Sequence, residues 1–217
     1  MKKRICLFIV TLLVTAMLLP AAAFAESAPL MTAYYQVLKE GNTVYCGGAA
    51  GIYKVDLNDS GTIDSKTLLF KSYRPFGKYS YIIDMYKQGE YIYFLQETEG
   101  TTAYLKRVSE TGTSKKLAAL DDSEYGYSID GDTIYYSTYN WEYDDEDYDG
   151  DAGYQLLKRM NLDGSSKQDT TITPNTVSKK SNEIGYSRVI KKKGKYLKDY
   201  LKTPNGTFYL GKIKKSR

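Results

Sequence analysis

Gly131-Asp132-Thr133-Ile134-Tyr135-Tyr136, completed by Leu157-Lys158-Arg159-Met160-Asn161-Leu162-Asp163-Gly164, is the stretch that decides the fold. A glycine beside a polar residue makes a tight hairpin turn, and the Ile and Tyr residues after it favour a strand. A loop and a second strand follow, closed by an Asp-Gly turn. The same phrase opens at Gly41-Asn42-Thr43-Val44-Tyr45, at Gly89-Glu90-Tyr91-Ile92-Tyr93 and, more weakly, at Gly194-Lys195-Tyr196-Leu197. A strand-like run precedes each glycine: Tyr35 to Leu38, Tyr81 to Tyr86, Tyr125 to Ile129 and Tyr186 to Ile190.

The second half of each phrase is aliphatic-x-basic-aliphatic. It begins at residues 52, 105, 157 and 210, as Ile52-Tyr53-Lys54-Val55, Leu105-Lys106-Arg107-Val108, Leu157-Lys158-Arg159-Met160 and Leu210-Gly211-Lys212-Ile213. A polar turn follows the first three, and then a candidate outer strand at Thr67 to Phe70, Lys116 to Leu120 and Thr170 to Thr173. Four short strands per repeat of about 50 residues predict an all-β, propeller-like array of four blades, the last incomplete. Its units span about 33–72, 81–121, 125–173 and 186–213. An irregular sandwich or solenoid is the alternative. Closure of the ring is open: Leu30-Met31-Thr32 could pair beside Leu210 to Ile213 as the missing outer strand, or the array could stay open or be completed by a second subunit.

The third unit resembles the repeats of bacterial exported propellers of the DUF5050 family, related to the YWTD propellers of lipoprotein receptors. Arg159-Met160-Asn161-Leu162-Asp163-Gly164 carries the likeness; Lys54-Val55-Asp56-Leu57-Asn58 follows it loosely, and Ser109-Glu110-Thr111-Gly112 departs from it. The resemblance implies a propeller of exported type.

Lys2, Lys3 and Arg4, the apolar run Ile5 to Leu19 and Ala23-Phe24-Ala25 have the form of a secretory signal peptide, with residues 1–25 removed and Glu26 leading. The expected address is extracellular or the cell envelope. No lipid anchor is expected, because Cys6 lies inside the apolar run, and no later stretch is long and apolar enough to cross a membrane. Loss of the three basic residues lowers the net charge from +4, so overall charge selects no partner. Only Cys46 then remains, which fits a small core residue. Histidine is absent. That removes Ser-His-Asp and Cys-His catalysis and imidazole metal ligation. With no nucleic-acid module either, the expected function is non-catalytic recognition of a protein, peptide or cell-wall glycan. The alternative is a carboxylate-based glycoside-processing enzyme.

The third unit also carries the longest insertion, residues 141–153. It holds Glu142, Asp144, Asp145, Glu146, Asp147, Asp149 and Asp151 without one basic residue. Asp145-x-Asp147-x-Asp149-Gly150, with Asp151 adjoining, has the carboxylate spacing of the first half of a calcium loop. The twelfth position is Leu156, not the bidentate Glu of an EF-hand; calcium loops of propellers with a similar pattern do without that Glu. Two readings stand: a Ca2+ site, or a solvated acidic loop whose charges repel. No cofactor is required by either. Tyr139, Trp141, Tyr143 and Tyr148 surround the loop and are the candidate ligand-contact residues, since aromatic rings stack on sugars and anchor protein partners. From Arg188 to Arg217 the sign reverses, with eleven Lys or Arg and only Asp199 negative. Such a unit is suited to anionic envelope polymers or to a basic solvated face. If the loop holds Ca2+ in the folded state alone, millimolar Ca2+ raises the melting temperature. An unchanged melt identifies a solvated acidic loop.

Overall fold

A computed structural model describes residues 29–31, 36–72, 80–98, 103–120, 126–140, 154–170, 175–177 and 185–214. The described residues form strands and no helix. The first unit is β2 (Val37–Glu40), β3 (Thr43–Gly47), β4 (Gly51–Leu57) and β5 (Ile63–Lys71), with β1 (Pro29–Met31) ahead of it. The second is β6 (Ser80–Gln88), β7 (Tyr91–Thr98), β8 (Ala103–Ser109) and β9 (Ser114–Leu120). The third is β10 (Tyr127–Asp130), β11 (Thr133–Asn140), β12 (Tyr154–Asn161) and β13 (Gln168–Asp169). After β14 (Asn175–Val177), the fourth holds β15 (Ser187–Lys193), β16 (Tyr196–Thr203) and β17 (Gly206–Lys214). Each unit is an antiparallel meander, four-stranded in the first three and three-stranded in the last. This is the expected all-β, propeller-like array.

The opening glycines work as read. Gly131 has φ +53° and its counterparts fall between +54° and +57°, while the second turn residue keeps negative φ. That is the type II′ hairpin, whose first central position favours glycine. The polar turns are one structure despite their different sequences. Gly61, Gly112 and Gly164 each donate to the carbonyl three residues back, on Asn58, Ser109 and Asn161. In the second unit Ser109 Oγ accepts the Thr113 amide as Asn58 Oδ1 accepts that of Thr62. Asp56 is engaged too, accepting from Thr43 and Ser65, while Asn58 Oδ1 also accepts the Ser60 hydroxyl.

The sheets stack face to face through apolar layers, so strands of the inner units are buried on both sides. Ile92 and Phe94, with Ile82 of their own sheet, pack on Tyr45, Ile52 and Phe70 of the first unit, whereas Tyr93 and Leu95 meet Tyr127, Ile134 and Met160 of the third. Burying each such side chain contributes roughly 1.5–3 kcal/mol. On its other face the first sheet presents Val44, Cys46, Tyr53 and Val55 to Leu201 and Leu210 of the fourth.

Between these layers runs a repeated polar joint. Tyr45 and Lys54 are cross-strand neighbours. Both reach Glu110 in the turn of the next unit: the phenol donates at 3.0 Å and the ammonium at 3.0 Å. Tyr93 and Arg107 are the equivalent pair one unit on. Both donate to the Leu162 carbonyl, at 3.4 and 3.1 Å, and Leu162 stands where Glu110 stands in the preceding repeat. In the first two units the recurring Tyr and basic positions of the phrase are therefore a two-pronged grip on the following turn. Glycine lets that turn come close: a Cβ on Gly112 would stand 3.3 Å from the Leu69 carbonyl, and one on Gly164 3.0 Å from Leu117. In the third unit Arg159 turns instead to Gln168 of its own sheet, at 2.9 Å.

Two expectations need correction, and a third falls partly outside the described residues. The third unit's described outer strand is Gln168–Asp169, held by Lys158 to Asp169 and Arg159 to Gln168; of the expected Thr170 to Thr173, Thr170 follows that strand and the rest lie outside the described residues. The segment expected to close a ring pairs elsewhere, as β1 lies parallel to β14 with Leu30 opposite Thr176. Among the described residues β1 touches β10 and β11 of the third unit, whereas β17 lies over the outer strand β5 of the first. Finally, the fourth phrase repeats in sequence but not in orientation. Asp199 meets Ala49 and Ala50 at one end of the first sheet, while Asn205 Nδ2 donates to the Ser60 carbonyl at the other. The β16–β17 turn thus points to the end carrying the Gly41 and Gly61 turns. In the first three units the corresponding hairpin points the opposite way, so the fourth sheet is inverted on the first.

Glu110 also bridges Lys87 at 3.1 Å, and Lys87 reaches Glu40 at 2.9 Å. Hydrogen bonding to Lys54, first of all, holds its carboxyl down at about 2. This stabilisation is present above the ordinary glutamate range and is lost as pH falls towards that value. Because the cluster is part-exposed, Glu110→Gln is expected to cost roughly 1 kcal/mol. Urea denaturation at pH 7 and at pH 2.5 checks it: the difference between parent and variant shrinks at the lower pH.

Candidate functional site

The functional candidate that the structure builds lies where the inverted sheet meets the first. Gly47-Gly48 and Ala49-Ala50 form the β3–β4 turn, closed by the Gly48 amide on the Gly51 carbonyl at 2.7 Å. Into it projects Asp199, fully buried, accepting the Ala49 and Ala50 amides at 2.9 and 2.8 Å. A Cβ on Gly48 would fall 2.5 Å from the Asp199 carboxyl carbon, so glycine makes room for the acid. Arg188 donates to the carbonyls of Gly47 at 3.3 Å and Ile82 at 2.8 Å, tying the fourth unit to both the first and the second. Burial raises the Asp199 carboxyl, opposed by its two amide donors, by Arg188 and by Tyr53. Burial likewise raises the Tyr53 phenol and pushes the Cys46 thiol up to about 12, which leaves Cys46 the inert core residue expected of it.

Tyr53 explains the odd glycine of the fourth phrase. Its hydroxyl occupies the place where a side chain on Gly211 would stand. Outward from this contact the two sheets part into a cleft of about 360 Å³, lined by Tyr53, Lys66, Leu68, Lys71, Leu210 and Lys212. Among the described residues no carboxylate lines it. The Lys66 ammonium spans the gap to the Tyr209 carbonyl at 3.0 Å and sits 5.2 Å from the Tyr209 ring centre. Tyr209 stacks edge-on with Tyr200 at 5.6 Å. Leu68 and Tyr209 are the large apolar side chains left most open, 43% and 42% exposed.

The residues singled out in the acidic insertion are not brought into this cleft by anything described. Trp141, Tyr143, Asp145, Asp147, Tyr148, Asp149 and Asp151 lie outside the described residues. Tyr139 lies in β11 opposite Gln155, near the end of the hairpin from which the insertion leaves. Among the described residues no three acids, cysteines or histidines gather in a metal-binding group. The buried Asp199 and its Gly48 turn were missed by sequence reasoning, although a single acid within eleven basic residues and a Gly-Gly doublet were both on view.

The fold and the joint define an all-β repeat protein of propeller-like build. Comparison with protein-family models, with curated proteins and with solved structures returned no match to the chain.

One other carboxyl is buried among the described residues. Asp84 forms the bulge between Ile83 and Met85 of β6, at φ +51°, and its backbone carbonyl accepts the Tyr127 hydroxyl at 2.9 Å. Burial pushes its carboxyl up to about 8. The folded state therefore holds a proton that the unfolded state releases near pH 4, and stability falls as pH rises from there to about 8. Asp84→Asn stays neutral and tolerates positive φ. Its melting temperature relative to the parent is expected to be higher at pH 9 than at pH 5; an equal offset at both means a solvated carboxyl.

Proposed function

We propose that the protein is an exported, non-catalytic binding module whose ligand is anionic, an acidic stretch of a protein or peptide or an anionic wall glycan. The observation that carries this reading is the cleft between the first and fourth units. Lys66, Lys71 and Lys212 line it beside Tyr53, Leu68 and Leu210, with no carboxylate among the described lining residues. Lysines on low-dielectric walls concentrate anions, and the apolar floor adds contact area. Export rests on the signal-peptide form of residues 1–25, and the likeness of the third unit to exported propellers agrees with it. A carboxylate-based glycosidase needs two acids flanking a sugar bond. The described lining of the cleft offers lysines and no such pair, which supports binding over hydrolysis. The acidic insertion stands as a second, independent candidate for Ca2+.

Retention of polyglutamate, polylysine and a neutral glucan on the immobilised protein tests the assignment. Polyglutamate alone should be held, and the triple change Lys66→Gln, Lys71→Gln and Lys212→Gln should weaken it about tenfold or more, three lost charge contacts of roughly 0.5–1 kcal/mol each. Equal retention of the neutral glucan, or binding unchanged in the triple variant, would overturn it.

A further inference from the structure

The first three sheets end in an outer strand, β5, β9 or β13, but the fourth ends at β17. Among the described residues no strand pairs with the far edge of β17, which runs nine residues from Gly206 to Lys214. An edge of that length carries backbone donors and acceptors able to template another strand. The place such a strand would take is already shaped. It lies over β5, where Leu68 stands open although the next two residues, Leu69 and Phe70, are buried. Across the gap the Tyr209 carbonyl is met by a lysine ammonium at 3.0 Å.

We infer that β17 accepts an extended acidic segment of a partner protein as a fourth strand, laid along the cleft above β5. This rests on the anionic-ligand reading and makes it specific. Main-chain pairing with β17 supplies affinity, and alternate side chains of the added strand supply selectivity. An apolar residue of the segment would cover Leu68, and its acidic neighbours would meet Lys66, Lys71 and Lys212. Charge argues against a second copy of this chain in that place. A second β17 laid there would bring its own Lys212 into a cleft already lined by Lys66, Lys71 and Lys212, and crowded like charges are destabilising.

A labelled ten-residue peptide alternating Glu with Val or Leu tests the inference, beside the same peptide with its backbone amides methylated. Methylation keeps every charge and removes the ladder donors. The parent peptide is expected to bind at least about tenfold more tightly, and the amides of Gly206 to Lys214 should exchange more slowly with solvent in its complex. Equal binding of both peptides, with unchanged exchange, overturns strand addition and leaves charge-driven binding in the cleft standing. If neither peptide nor polyglutamate binds, both readings fall. Concentration-dependent dimers in which the amides of Gly206 to Lys214 exchange more slowly would show that the edge serves a second copy, which also overturns the inference.

Discussion

The fold depends on one repeated contact, the grip of a cross-strand tyrosine and basic residue on the turn of the following unit. Apolar layers supply most of the driving force for stacking the sheets, but such layers are permissive about how far one sheet slides over another. Tyr45 with Lys54 on Glu110, and Tyr93 with Arg107 on the Leu162 carbonyl, remove that freedom. Each bond is modest by itself. Their geometry requires the turn to arrive at a fixed height and distance, which is why Gly112 and Gly164 must let it approach the neighbouring strand.

The grip also accounts for which parts of the architecture were legible in the sequence. Glycine turns, Tyr-rich strands and the basic position recur at a fixed spacing because each serves the same contact in successive units. Reading them as blades was therefore a reading of physics that repeats. The turn at Ser109-Glu110-Thr111-Gly112 looked like a departure, yet its backbone bonds match those of Asn161 to Gly164. Sequence overstated that difference because different side chains cap the same loop: the Ser109 hydroxyl accepts the amide whose counterpart Asn58 Oδ1 accepts in the first unit and Asp163 Oδ1 accepts in the third.

The fourth unit shows where such reading fails. Gly194-Lys195-Tyr196-Leu197 has the form of the repeat, but Lys198 stands where the gripping tyrosine would be, and Gly211 replaces a side chain so that Tyr53 can enter. Both departures were visible, but nothing local to the chain says which end of a hairpin points up. That choice is made by contacts over long separations, Asp199 with Ala49 and Ala50 and Asn205 with Ser60. The same applies to the cleft. Its lysines come from β5 and β17, whose approach follows from the inversion, while the acidic insertion that drew attention in the sequence is local and easily seen. Position along the chain revealed the conspicuous charges, and tertiary contact assembled the less conspicuous ones.

The direction of the grip makes the second unit a different kind of part from its neighbours. Its turn is held by the unit before it, and its own tyrosine and arginine hold the unit after it by the same geometry. One face of this building block is thus complementary to the opposite face of an identical block. A duplication of that segment would insert into the stack with both of its seams already matched. Chain length in this architecture can grow by whole units without redesign, while the inverted sheet, which packs on the first unit and is tied to the second through Arg188, acts as a stop at one end.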